Sequence, residues 1–166
     1  DHRDLHLSLR RQRQMCIRDR YNTRTRVHEY GGAPYIVVNG IIYFSNFSDQ
    51  RLYQHKPTHA PKPLTPAGPW FYADGIFDQS RNRLIFIRED HQASGHEPIN
   101  TIVSISLAHS QEQTQGIILV SGNDFYASPR LSPKGDQFAW LTWNHPNMPW
   151  DGTELWVADV QPNGTL

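Results

Sequence analysis

A chain of 166 residues, 37% hydrophobic and 19% charged, has the balance of one modest globular domain rather than a disordered segment. Sixteen Lys/Arg cancel sixteen Asp/Glu, and the lone cysteine, Cys16, rules out an internal disulfide and a thiolate metal cage. No apolar run approaches the roughly 18–20 residues that a membrane-crossing helix needs.

The charge is unevenly spread. Residues 1–20 hold six of the sixteen Lys/Arg (Arg3, Arg10, Arg11, Arg13, Arg18 and Arg20) against three acids. A basic end can act as a nucleic-acid arm. Here "DLHLSLRRQRQM" shows no apolar face and no start or stop signal for an element. The run "RQRQMCIRDR" resembles mistranslated library-adapter sequence, so residues 1–20 are expected to be foreign to the domain, with no nucleic-acid or membrane partner. No continuous apolar stretch of a secretory leader is visible, and a cytoplasmic location is expected.

From Tyr21 onward, twelve prolines and eleven glycines punctuate short runs rich in Val, Ile, Phe, Tyr and Trp. The predicted strands are 34–38, 41–45, 50–54, 83–89, 100–107, 116–121, 136–143 and 154–160. Asn39-Gly40 is a two-residue hairpin signal, because both central positions of such a turn take positive φ. Pro133–Asp136 and Pro162–Gly164 are further turns. The inner strands are apolar on both sides: Leu84 and Phe86 point one way, Ile85 and Ile87 the other, and Phe138 and Trp140 likewise oppose Ala139 and Leu141. A strand of this kind must be covered on both faces. Antiparallel hairpins then have to stack face to face in series, whereas a two-layer sandwich would leave one side polar.

An internal repeat supports this. "FYADGIFDQSRNRLIFIREDH" begins at Phe71 and "FYASPRLSPKGDQFAWLTWNH" at Phe125, 54 residues later. Each opens on Phe-Tyr-Ala, turns through a polar stretch, enters an apolar strand and closes on a histidine, His91 or His145. Residues 35–54 read as a shorter third copy. Units of roughly 40–50 residues with about four strands each are characteristic of β-propeller blades. The predicted fold is all-β: a partial propeller over 21–166, about three blades of four-stranded antiparallel sheet, ending before closure. Trp140, Trp143 and Trp156 are expected between blades.

The segments "RVHEYGG" (26–32), "YFSNFSDQRLY" (43–53), "PLTP" (63–66) and 123–160, above all "HPNMPWDGTELW", resemble the N-terminal β-propeller of prolyl-oligopeptidase-family serine peptidases. The resemblance covers residues 21–166 and is to the bacterial acylaminoacyl-peptidase and dipeptidyl-peptidase-like members. It implies a cap beside an α/β-hydrolase domain that admits short peptides, excludes folded proteins and helps position substrate. The Gly-x-Ser-x-Gly nucleophile elbow of such a domain does not occur in this sequence, so these 166 residues are expected to be a non-catalytic fragment of the cap. The partners implied are that hydrolase domain and short peptides. A stand-alone TolB or WD-repeat-like propeller that binds proteins is the alternative.

The substrate-contact candidates are Glu29, Tyr30, Asn144, His145, Met148, Trp150 and Asp151. Glu29 can bind a peptide's free amino terminus, or pair with Arg24 or Arg26 while Tyr30 packs on a blade. The dipeptidyl members use paired glutamates for that amine, and no Glu-Glu pair occurs here. Asn144, His145 and Asp151 surround the Met148–Trp150 loop, either as a substrate-facing rim or as partners for backbone groups of a long turn. His28, His91, His96 and His145 lack metal-site spacing, so neither a structural zinc nor another cofactor is expected.

Overall fold

The computed structural model describes residues 20–29, 31–92, 97–108 and 113–166. Residues 1–19, and with them most of the basic end, lie outside that range, as do Tyr30 and His96. The described residues form strands and no helix, arranged in three antiparallel sheets. Blade 1 contains β1 (Tyr35–Val38), β2 (Ile41–Ser45), β3 (Leu52–His55) and β4 (Lys62–Pro63). Blade 2 contains β5 (Trp70–Asp78), β6 (Arg83–Asp90), β7 (Ile99–Ser106) and β8 (Ile117–Val120). Blade 3 contains β9 (Phe125–Leu131), β10 (Gln137–Trp143) and β11 (Glu154–Asp159). Each sheet is a meander in sequence order, and the first strands β1, β5 and β9 lie side by side. This is the arrangement of propeller blades around an axis, with the ring left open.

Both faces of blade 2 are sealed, as its sequence requires. Leu84 and Phe86 join Tyr43, Leu52 and Leu64 of blade 1 in one core. Ile85 and Ile87, on the opposite face, join Tyr126, Phe138 and Trp140 of blade 3 in the other. The apolar core is therefore two seams between sheets. Asn39 and Gly40 both take positive φ, of 50° and 75°, and close the first hairpin as their sequence predicts.

Two inner strands were not evident in the sequence. The Phe-Tyr-Ala segments do not end in a turn; they run on as β5 and β9. Asp74 (φ 54°) and Ser128 (φ 52°) occupy equivalent positions 54 residues apart, and each interrupts the alternation with a left-handed residue. The β5–β6 register shifts between Ala73 and Ile76, as at a β-bulge. A bulge rotates the following side chains, so a period-two pattern cannot pass through it. Gly75 lies beneath Phe86, where an added Cβ would come 2.3 Å from the ring.

Residues 21–29, with Gly31 and Gly32, form a strap that ties the three blades together. Arg24 N–H donates to Ser45 O in blade 1 (3.1 Å), and Val27 is buried in the seam between blades 2 and 3. At the far end, the Arg81 guanidinium in the β5–β6 turn donates to Gly135 O of the β9–β10 turn (2.9 Å). Asp78, itself buried, holds Arg81 at 3.3 Å and Arg83 at 2.9 Å. The two ends of the blades thus differ: one is clasped by arginine, the other crossed by the strap.

Candidate functional site

The strap end carries a cleft of about 830 Å³. It opens where β5 and β9 begin and β6 and β10 end. The strap contributes Arg26, His28 and Glu29; blade 2 contributes Phe71, Glu89 and His91; blade 3 contributes Phe125, Trp143, His145 and Met148. Equivalent blade positions line it twice. The Phe71 and His91 rings lie 4.2 Å apart, and Phe125 and His145 lie 4.9 Å apart. Phe125 also stacks on Trp143 at 5.4 Å, with His28 edge-on to both rings.

Glu89 organises the floor. Its carboxylate is buried, accepts a short hydrogen bond from the His28 backbone N–H, and lies 3.1 Å from His91 Nε2. The strap turn it receives is unusual, since His28 and Glu29 both have positive φ (56° and 64°). Non-glycine residues adopt this conformation only when their surroundings fix it. Of the two neighbouring glycines, only Gly31 has positive φ; Gly32 is needed for space, because a Cβ there would stand 2.8 Å from Asp74 Oδ1. Asn100 Nδ2 donates to Asp124 O (2.7 Å), and Asp124 Oδ2 accepts from His145 N–H (2.9 Å), linking blade 2 to the blade 3 rim.

Burial holds the His28 pKa below its ordinary value of 6.5, against the opposing pull of Glu89, Asp74 and a bond to Asn100. The neutral ring is therefore the folded form near neutral pH. Between the folded pKa and about 6.5 the unfolded chain binds the additional proton. Stability is consequently lost as pH falls through that window, and the loss levels off below the folded value. Wild type should lose stability relative to His28→Gln on acidification from about pH 7 to 5; parallel denaturation profiles of the two would contradict this.

The predicted contact residues divide into three groups. Glu29, His145 and Met148 line the cleft. Asn144 and Asp151 are taken up by backbone groups: Asn144 Oδ1 accepts from Asp124 N–H in the β8–β9 connection (2.8 Å), and Asp151 Oδ2 accepts from Met148 N–H of its own loop (3.1 Å). Trp150 is 76% exposed and lies outside the lining. The alternative pairing of Glu29 with arginine does not form among the described residues: Arg24 and Arg26 instead lie over the Phe47 ring at 4.8 and 4.5 Å. Of the three tryptophans expected between blades, Trp140 is buried in the seam, Trp143 is buried at the cleft, and Trp156 stacks on Trp140 but is half exposed.

Phe71, Glu89 and Phe125 were not among the sequence candidates. The 54-residue repeat placed the Phe–His pairs at matching positions, but it gave no sign of Glu89, which reads as the polar end of an apolar strand. The cleft carboxylates Glu29, Glu89 and Glu97 outnumber the single guanidinium of Arg26, and aromatic rings flank them. Such a site suits a cation attached to an apolar group. Among the described residues no three His, Cys, Asp or Glu side chains are grouped to hold a metal ion.

No protein-family model matches the chain, and no curated protein matches it. Solved structures do. A puromycin-hydrolyzing peptidase of Mycobacterium tuberculosis is 39% identical over 88% of this chain, with a TM-score of 0.78, and a puromycin hydrolase is 32% identical over 88%, with a TM-score of 0.79. The same hydrolase as a mutant complexed with PGG matches equally well. The chain spans only about a quarter of their length, 24% and 25%. The sheets and their seams define an incomplete β-propeller. The relatives it superposes on are prolyl-oligopeptidase-family peptidases, matched in their N-terminal part, as the sequence resemblance implied.

Proposed function

We propose that the chain is the propeller portion of a serine peptidase and that the strap-end cleft admits and positions short peptides for an α/β-hydrolase domain. The observation that carries this is the cleft lining, three carboxylates beside Phe71, Phe125 and Trp143, in a chain that matches the N-terminal part of puromycin-hydrolyzing peptidases. In this reading the blades form no bonds with the reacting atoms. They orient one end of the substrate and exclude water, lowering the entropic part of a barrier crossed elsewhere. Glu29, exposed on the strap beside Phe125 and His145 in the lining, receives the amino terminus; Glu89 is committed to the strap and His91.

The test is a titration of the chain with a short peptide bearing an aromatic first residue, carried out with its amino terminus free and acetylated. The free peptide should shift the His145 ring resonances, and Glu29→Gln should weaken its binding about tenfold, the scale of one charge-assisted hydrogen bond. Equal binding of the two peptides would remove Glu29 from this role. Preference for the acetylated peptide would favour an acylaminoacyl-type substrate instead. Reading the coding sequence beyond residue 166 tests the parent enzyme separately, through the presence of a Gly-x-Ser-x-Gly elbow followed by Asp and His.

A further inference from the structure

The chain contains two Asn-Gly and two Asp-Gly pairs: Asn39-Gly40, Asn163-Gly164, Asp74-Gly75 and Asp151-Gly152. Each sets a side-chain carbonyl carbon beside a backbone nitrogen that no following side chain shields, so the chain can react with itself there. The structure separates the four. Asp74 Oδ1 accepts from Ala33 N–H (2.7 Å), and Gly75 lies beneath the Phe86 ring. Asp151 Oδ2 accepts from Met148 N–H, and a carboxylate must gain a proton before it is an electrophile. Asn163 Oδ1 accepts from both the N–H and the Oγ1–H of Thr165 (3.1 and 2.8 Å). Gly164 is buried, with its N–H donating to Gln161 O (2.8 Å).

Asn39-Gly40 has none of these restraints. Both residues are exposed, and among the described residues no hydrogen bond holds the Asn39 carboxamide or the Gly40 N–H. A Cβ added to Gly40 would meet nothing within 4 Å. The pair forms the two-residue turn between β1 and β2, where Val38 stands opposite Ile41. Ser45, which ends β2, meets the strap through Arg24, so the turn lies at the end of blade 1 away from the cleft. A neighbouring blade covers the faces of strands, whereas this turn projects from the end of the sheet. Its exposure does not depend on whether another blade stands beside blade 1.

We infer that Asn39 is a self-modification site, converting to isoaspartate and aspartate, and that the isoaspartate form loosens the hairpin that opens blade 1. The Gly40 nitrogen bonds to Asn39 Cγ, the Cγ–Nδ2 bond breaks, and the Gly40 proton leaves with the amide nitrogen as ammonia. Water then opens the five-membered imide. Attack at Cγ gives aspartate, and attack at the main-chain carbonyl of residue 39 gives isoaspartate, which carries an additional carbon in the main chain. Loop length sets the register of a two-residue hairpin, so that carbon disturbs the pairing of Val38 with Ile41 and of Val37 with Ile42. The aspartate form keeps the turn, because Asp-Gly suits the same geometry. The inference is independent of the peptidase reading, since it uses neither the cleft nor any ligand.

Ageing the folded chain in mildly alkaline buffer, beside a sample denatured in guanidinium chloride, tests this by peptide mapping and mass spectrometry. In the denatured sample the two Asn-Gly pairs should convert at similar rates. In the folded chain Asn39 should convert about tenfold faster than Asn163, the scale of freeing one or two hydrogen bonds before reaction. This ratio is read on wild type and needs no variant. Isoaspartate at residue 39, detected with an isoaspartyl methyltransferase and labelled S-adenosylmethionine, should accompany a fall in melting temperature. Asn39→Gly keeps a Gly-Gly turn without the reactive amide and should age without that fall. Fresh Asn39→Asp should melt like unaged wild type. Equal conversion of Asn39 and Asn163 in the folded chain would overturn the site, as would an Asn39 that stays intact while the denatured sample converts. Aged wild type that melts like aged Asn39→Gly would overturn the effect on the hairpin.

Discussion

Phe86→Ala should lower the unfolding free energy by about 3–5 kcal/mol, the range for deleting a buried aromatic ring. The ring is fully buried in the seam between blades 1 and 2, edge-on to Tyr72 at 6.4 Å, with Gly75 too close beneath it to carry a Cβ. The space it leaves has a sheet on each side, and neither can move in without breaking its own hydrogen-bond ladder, so the cavity persists. Ile87 is equally buried but one position along the strand, and therefore faces the other seam. Ile87→Val, which removes one methyl group, should cost only about 0.5–1.5 kcal/mol. Urea denaturation followed by tryptophan fluorescence at low protein concentration measures both. A Phe86→Ala loss below about 1 kcal/mol would mean that the seam is not sealed and that the sheets do not stack as blades.

Glu89→Ala should cost about 1–3 kcal/mol, the range for leaving a buried donor without its acceptor. It removes the oxygen that receives the His28 N–H and separates His91 from the cleft floor. The strap turn, held at positive φ on two consecutive non-glycine residues, then loses its tie to blade 2. A spectroscopic consequence distinguishes this from general damage. Glu89 raises the His28 pKa against burial, so removing its charge should lower that pKa further below its ordinary value. Glu89→Gln separates the two effects: its amide oxygen can still accept from the backbone, preserving much of the stability, while the downward shift of His28 remains. Imidazole resonances followed through a pH titration read this directly. If the His28 titration is the same in wild type and both variants, Glu89 does not organise the cleft.

How far the sequence leads depends on whether a feature is set by neighbours along the chain or across the fold. The alternation of Leu84 and Phe86 against Ile85 and Ile87 is a property of consecutive residues, and by itself it requires sheets on both sides. The Asn39-Gly40 turn and the 54-residue repeat are local in the same sense. The inner strands β5 and β9 were less legible, because left-handed Asp74 and Ser128 break the alternation by which strands are recognised. A polar residue in that conformation resembles a turn until the sheet on either side is known.

The cleft was only partly predictable. Glu29, His145 and Met148 could be nominated because the loops containing them are unusual in composition. Glu89 could not, since its role depends on a strap residue 61 positions away reaching it. Nor could local sequence show that Asn144 and Asp151 are taken up by backbone N–H groups while Trp150 lies outside the cleft lining. By itself the sequence determined that these strands need a neighbour on each face and repeat as blades, because burial on two sides is written in residue-to-residue polarity. Only the tertiary structure decided which side chains share the cleft, because packing the sheets brings distant strand ends together at one edge and fixes which polar atoms already have partners.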